Sequence, residues 1–373
     1  LTVTNCLWQA NSTGIFYIAL INRSGAWCNL QQTNRMGTMR VFINGFGRIG
    51  RSVLRAWAQN RQDLDSTLWP DLEIVGINDI ATAQMCAYLF EFDSVFGPWH
   101  GSVALDDGVL VIDGRNIPLY QCADLSALDL AGVDLVMECT GRADARAVAK
   151  RGLLGGAVRV LISGPSNAAD FTVVLGANEC GLKVALGEGA TVVSNASCTT
   201  NALAPLARLL DDEFGIKTGW MTTIHCYTGS QPTTDAPSVD YGRSRAAALS
   251  MVPTTTSAQR LLDWVLPQLS GRIQGAAVRV PVASVSAVDL AVMLMRPCDV
   301  AEVNALLTAQ GGVIGVTDKA LVSSDLRARP ESVVMALPET RMTAGGMLRV
   351  FGWYDNEWGF SNRMLDIALL MRT

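Results

Sequence analysis

The sequence predicts an α/β chain of two domains: a doubly wound parallel sheet, then an α+β unit built on a mainly antiparallel sheet. Three observations carry this. The chain has 373 residues, too many for one ordinary core and enough for two domains of roughly 150–200 residues. From Met39 onward, short apolar runs alternate with longer helical stretches, as in parallel strands covered on both faces. Beyond residue 200 the strands lengthen and alternate apolar with polar residues, as strands with one exposed face do.

In the first domain the strand candidates are Val41–Ile43, Glu73–Ile77, Asp134–Glu138, Arg159–Ile162, Thr172–Leu175 and Thr191–Ser194, with helices at Arg48–Asn60 and Arg142–Leu154 between them. A helix is expected over Asn201–Phe214, followed by strands such as Ala276–Val280, Ser286–Met295 and Met347–Tyr354. The expected division is 39–197 for the first domain, 198–360 for the second, and a helix over 361–373 returning to the first. Residues 1–38 contain no Asp or Glu and little periodicity. They read as a poorly ordered or misassigned leader, with a transit peptide as the alternative.

The formal charge is −5, which argues against a nucleic-acid binder, since that needs a basic face to displace counterions. No apolar run reaches membrane-spanning length, and a cytoplasmic enzyme is expected. None of the nine cysteines forms a CxxC pair or a zinc pattern, so free thiols and no metal are expected.

Asn44-Gly45-Phe46-Gly47-Arg48-Ile49-Gly50 closes the first strand and opens the first helix. The glycines fit GxGxxG. The first allows a tight turn, the second lets a pyrophosphate approach the backbone, and the third lets helix pack on strand. The helix start then presents unpaired N–H groups to an anion. Asp79 ends the next strand, where a carboxylate binds ribose hydroxyls and repels a 2′-phosphate, favouring NAD. It falls later than the usual spacing, and the polar stretch 60–71 accounts for the excess as a loop. The layout is therefore Rossmann-type.

Cys198 follows a strand and opens an apolar helix, flanked by Ser197, Thr199, Thr200 and Asn201. A helix start favours the thiolate, the form that attacks a carbonyl carbon. The chain has two histidines. His100 lies in the glycine- and proline-flanked turn 97–101, whereas His225 ends a strand-like run soon after the Cys198 helix. A Cys198–His225 ion pair is the expected nucleophile and base. Alternation along the strand directs neighbouring Cys226 the other way.

Across about nine-tenths of the chain, INGFGRIGR, IND, SNASCTTNALAPL, TTIH, VPTTT, VRVPVASVSAVDL and WYDNEWGFSN occur in an order that resembles the glyceraldehyde-3-phosphate dehydrogenase family. The resemblance implies that Cys198 is the catalytic thiol and His225 its base. It implies that Ser197, Thr199 and Thr256 line a pocket for inorganic phosphate, and that Thr228, Arg243 and Arg279 hold the substrate's own phosphate, a task suited to the guanidinium fork. NAD is implied as cofactor, held by Asn44, Gly45, Phe46, Gly47, Arg48, Ile49, Asp79, Thr140, Gly141 and Ser163, with Asn356 on the nicotinamide carboxamide. A homotetramer is implied as well.

Several positions depart from the family pattern: Ser230 near the substrate phosphate, Ser257 after VPTTT, Ala123 at the adenine pocket, Phe360 near the nicotinamide and Ile80 after Asp79. These bear on affinity more than on reaction type. The rival activity is that of erythrose-4-phosphate dehydrogenase, which shares the thiol–histidine chemistry. A binding protein that kept the fold and lost catalysis is the rival from another class, and the presence of every chemical residue speaks against it.

Overall fold

The computed structural model describes residues 37–63 and 68–372, together with the backbone of 5–10, 16–21 and 27–28. Those last three segments pair as a small antiparallel sheet apart from the two main ones. The rest of the leader expected over 1–38 lies outside the described residues, as does 64–67 in the loop before Asp79.

The first domain is a nine-stranded sheet. Its order is Phe171–Thr172, Val192–Ser194, Arg159–Ile162, Leu135–Glu138, Met39–Asn44, Leu72–Asn78, Arg115–Tyr120, Val109–Ile112 and Val103–Asp106. The first seven pair in parallel, and the last two close an antiparallel edge. Alternate residues feed opposite cores: Val41 and Ile43 pack under the helix Arg48–Gln62, and Phe42 packs with Val136 and Val160 on the other face. Burial on both faces is why these strands read as unbroken apolar runs.

Strand order reverses at Met39–Asn44, with Leu72–Asn78 on one side and Leu135–Glu138 on the other. A crevice at the carboxyl ends of such strands is where doubly wound sheets bind ligands.

The second domain is an eight-stranded mixed sheet, five of its seven pairings antiparallel. Its centre is Ile216–Cys226, flanked by Ile273–Val280 in parallel and Ser286–Leu294 in antiparallel. The helix Cys198–Phe214 covers this sheet through Leu203, Leu206, Leu210 and Phe214. The final helix, Trp358–Leu370, returns to the first domain and packs on its first helix.

Three local expectations differ. The strand expected over Thr172–Leu175 is only Phe171–Thr172, because the Asn178 side chain donates to Thr172 O and accepts from Val174 N, curling the chain away. The helix expected over Arg142–Leu154 is two pieces, Arg146–Ala149 and Arg151–Leu154. Asp144 bonds to Asn167 rather than capping a helix. The antiparallel edge was unforeseen, although it turns at Asp107-Gly108 and Asp113-Gly114. All four of these residues have positive φ, as tight hairpin turns require.

Cys86, Cys122, Cys139, Cys198, Cys226 and Cys298 are free thiols. Cys180 is disulfide-bonded, against the free-thiol expectation. Among the described residues no helix is long and apolar enough to cross a membrane, and no cluster of His, Cys, Asp or Glu is arranged to hold a metal ion.

Candidate active site

The strand Val192–Ser194 meets the helix Cys198–Phe214 through a sharp turn at Asn195-Ala196-Ser197. Ala196 sits in the left-handed region at φ 53°, and its N–H donates to Ser194 Oγ at 3.1 Å. Left-handed non-glycine residues are uncommon and cluster at functional sites. Ser197 caps the helix by accepting from Thr200 N at 3.1 Å. Cys198 is thus the first helical residue, at the positive end of the helix dipole.

His225 stands on Ile216–Cys226, directly opposite Arg279 on the adjacent parallel strand. Its Nε2 lies 3.6 Å from Cys198 Sγ, within sulfur hydrogen-bonding reach. Its Nδ1 lies 2.7 Å from the Cys226 carbonyl oxygen. That oxygen can only accept and favours a proton on Nδ1, whereas the Arg279 guanidinium can only donate and favours a lone pair there, so the two contacts do not select one tautomer; Nε2 is the ring nitrogen that faces the thiol. Arg279 Nη1 lies 3.1 Å from the same oxygen and 2.5 Å from Nδ1.

Burial pushes the Cys198 thiol up, and the nearby Arg279 charge partly offsets this. Burial, then Arg279, pulls His225 down to about 4. Burial therefore works against the expected Cys198–His225 ion pair, while the helix end and the Arg279 charge work for the thiolate. What the arrangement provides is a base aimed at the sulfur, ready to take its proton as attack proceeds.

The remaining anion-binding candidates lie around this pair. Ser197 Oγ is 2.7 Å from Thr200 Oγ1. Thr199 is buried, its hydroxyl 2.9 Å from Tyr354 Oη. Thr256 Oγ1 accepts from Ala258 N at 3.1 Å. Thr228 Oγ1 lies 3.0 Å from Ser230 Oγ. Arg243 donates from Nε to Thr254 Oγ1 at 2.8 Å, and Val252–Thr254 pairs with the strand carrying Arg279. Strand pairing therefore brings the 252–256 segment, Arg279 and His225 side by side.

The glycine turn has the shape its spacing implies. Gly45 has φ 92°, and a Cβ there would sit 2.7 Å from Cys139 C and Thr140 N. At Gly50 a Cβ would sit 2.1 Å from Gly45 O. At Gly47 it would meet nothing within 4 Å. The helix that follows has no side-chain cap and no acidic residue in its first turn, so its N–H groups face open space suited to a pyrophosphate. Asp79 reaches back to this turn, accepting from Phe46 N at 2.6 Å and from Ala81 N at 2.9 Å. Ile49 is the second residue of the helix and packs against the first-domain core.

One further residue gathers the strand ends. Glu138, buried at the end of its strand, accepts from Asn44 Nδ2 at 2.5 Å, from Thr140 N at 3.0 Å and from the Thr140 hydroxyl. Gly141 follows with φ 70°, and Ser163 N bonds the Glu138 carbonyl at 3.0 Å. The Arg48 side chain is engaged elsewhere: it binds Glu357 from Nε and Nη2 and Asp93 from Nη1. Only its backbone is left to line the phosphate turn.

Residues 39–146 match the glyceraldehyde 3-phosphate dehydrogenase NAD-binding domain, and residues 197–356 match the C-terminal domain of the same enzyme. Glyceraldehyde-3-phosphate dehydrogenase of Cereibacter sphaeroides is 45% identical over 339 residues, covering 90% of this chain and 98% of that protein. That of Xanthobacter flavus is 43% identical, covering 90% and 98%. Glyceraldehyde-3-phosphate dehydrogenase 1 of Bacillus subtilis is 43% identical, covering 88% and 97%.

This chain belongs to the glyceraldehyde-3-phosphate dehydrogenase family.

Within the family's two domains, the geometry brings together Cys198, His225 and Arg279, and separately Asn44, Asp79, Thr140 and the glycine turn. Tyr354 and Glu138 were not foreseen. Tyr354 Oη, buried beneath the site, bonds Thr199 Oγ1 and Thr223 Oγ1 at 2.9 and 2.7 Å. The ring meets His225 edge-on, with centroids 6.1 Å apart. A tyrosine in a strand reads as core, and nothing in its neighbours marks it.

Proposed function

We propose that this protein is an NAD-dependent phosphorylating aldehyde dehydrogenase. It oxidises glyceraldehyde 3-phosphate to 1,3-bisphosphoglycerate with inorganic phosphate, in glycolysis or gluconeogenesis. The observation that carries this reading is Cys198 at a helix start, with His225 Nε2 3.6 Å from its sulfur and Arg279 alongside.

Cys198 Sγ gives its proton to His225 Nε2 as it adds to the aldehyde carbon, forming a hemithioacetal. The oxyanion is met by the Cys198 N–H and by the imidazolium. Bound NAD would supply the hydride acceptor, and loss of the hydride from that carbon would leave a thioester on Sγ. Inorganic phosphate then attacks the thioester carbon, the thiolate leaves, and the acyl phosphate departs. Thr228, Arg243 and Arg279 hold the substrate phosphate, and Ser197, Thr199 and Thr256 the attacking one. The thioester retains the oxidation energy that hydrolysis would dissipate.

The residues present fit NAD. The open space at Gly47, the uncapped helix start and the Asp79 carboxylate beside Phe46 supply a pyrophosphate seat and a ribose acceptor. Asn44, Gly45, Phe46, Ile49, Thr140, Gly141, Ser163 and the Arg48 backbone are assigned to the cofactor, with Asn356 on the nicotinamide carboxamide. We also assign the domains as 39–197 and 198–360, with 361–373 returning to the first. The homotetramer of cytoplasmic enzymes in this family suits the fully exposed Val239 and Tyr241 in the loop after His225.

Turnover of glyceraldehyde 3-phosphate and erythrose 4-phosphate, measured side by side, tests the substrate. The proposal expects the higher kcat/KM with the triose. A preference for the tetrose makes the protein an erythrose-4-phosphate dehydrogenase.

A further inference from the structure

Cys226 adjoins the base, yet its side chain turns away from the thiol pair, and the reaction above does not use it. Its sulfur is buried, and burial pushes the thiol up to about 12, so it stays protonated and donates. It donates to Asn356 Oδ1 at 3.1 Å. Ser286 Oγ donates to the same oxygen at 3.3 Å and accepts from Cys226 N at 3.1 Å. The residue before Ser286 is Val285, buried and at φ 66°. A β-branched residue is a true outlier there, and such strain persists where the surroundings impose it.

Asn356 is nearly buried, and two donors occupy its amide oxygen. The amide nitrogen then points the opposite way. We propose that Cys226, with Ser286, is a positioning residue that fixes the Asn356 amide so that its NH2 group alone faces the nicotinamide and donates to the carboxamide oxygen. The inference rests on the reading above that Asn356 holds the carboxamide. Cys226 then serves both halves of the site. Its carbonyl oxygen lies 2.7 Å from His225 Nδ1 and accepts from Arg279, and its thiol orients the cofactor-binding amide.

Equilibrium binding of three ligands tests this: NAD, ADP-ribose, which lacks the ring, and the 3-acetylpyridine analogue of NAD, which keeps the carbonyl oxygen but has no amide N–H. The proteins are the wild type, Cys226→Ala, Cys226→Ser and Asn356→Ala. Cys226→Ala is expected to weaken NAD about three- to ten-fold, the size of one lost hydrogen bond, and to leave ADP-ribose unchanged. Cys226→Ser restores most of the loss, and the wild type binds the acetyl analogue within about three-fold of NAD, since the contact that matters is kept. ADP-ribose binding also reports whether each variant folds. The inference is overturned if Asn356→Ala loses NAD affinity but Cys226→Ala does not. A wild type that rejects the acetyl analogue more than about ten-fold also overturns it, because the Asn356 oxygen would then face the ring. If Asn356→Ala binds NAD like the wild type, the role given to Asn356 fails instead.

Discussion

Arg279 Nη1 lies 2.5 Å from His225 Nδ1, so the guanidinium assigned to the substrate phosphate also touches the ring assigned as base. The charge next to the imidazole adds to burial in holding His225 near 4. An anion on Arg279 would neutralise that charge and raise the basicity of His225 as substrate arrives. Arg279→Leu should therefore raise the His225 pKa and move the acid limb of Cys198 alkylation to higher pH. Iodoacetamide inactivation rates over pH 4–8 measure it. An acid limb that stays put in the variant would show that Arg279 does not set the base.

The same depressed pKa links folding to pH. His225 is 5% exposed and takes a proton near 4 when folded, against about 6.5 when unfolded. Between those values the unfolded chain holds the extra proton, so stability rises with pH through this window and falls as pH drops through it. The loss approaches about 3 kcal/mol at the low end. Urea unfolding of wild type and His225→Asn at pH 7 and 4.5 should show a smaller drop in the variant, and equal drops would place the linkage elsewhere.

The glycines of the first turn should separate fold from binding. A Cβ at Gly50 meets the Gly45 carbonyl oxygen and one at Gly45 meets backbone atoms of 139–140. Gly50→Ala and Gly45→Ala should each cost about 2–3 kcal/mol or more. A Cβ at Gly47 meets no heavy atom within 4 Å, so Gly47→Val should keep its melting temperature within a few degrees yet weaken NAD roughly 100-fold, about 3 kcal/mol. Thermal melts and NAD titrations decide. Wild-type NAD affinity in Gly47→Val would remove the pyrophosphate from this turn.

Much of this could be read from the residues. The first sheet follows from burial: Val41 and Ile43 face one core and Phe42 another, and that demand writes itself into consecutive apolar residues, while the second sheet shows in the alternation of its longer strands. Cys198 stood out because polar neighbours at a helix start are poor core material. Side-chain partnerships between distant segments left no such trace. Nothing around Arg48 says that Asp93 and Glu357 hold it, and nothing around Glu138 says that it gathers Asn44 and Thr140. How burial and Arg279 weigh on the thiol pair left no trace either, since helix position is local and burial is not. The hairpin turns at 107–108 and 113–114, by contrast, are legible as Asp-Gly pairs.

The central claim is that Cys198 carries the substrate as a thioester until phosphate removes it. Rapid mixing with glyceraldehyde 3-phosphate and NAD, without phosphate, followed by acid quench and peptide mass spectrometry, tests it most directly. The account predicts an acyl group on the Cys198 peptide, a burst of NADH no larger than the number of sites, and steady turnover only once phosphate is added. Sustained NADH formation without phosphate, or acylation at a residue other than Cys198, would contradict it.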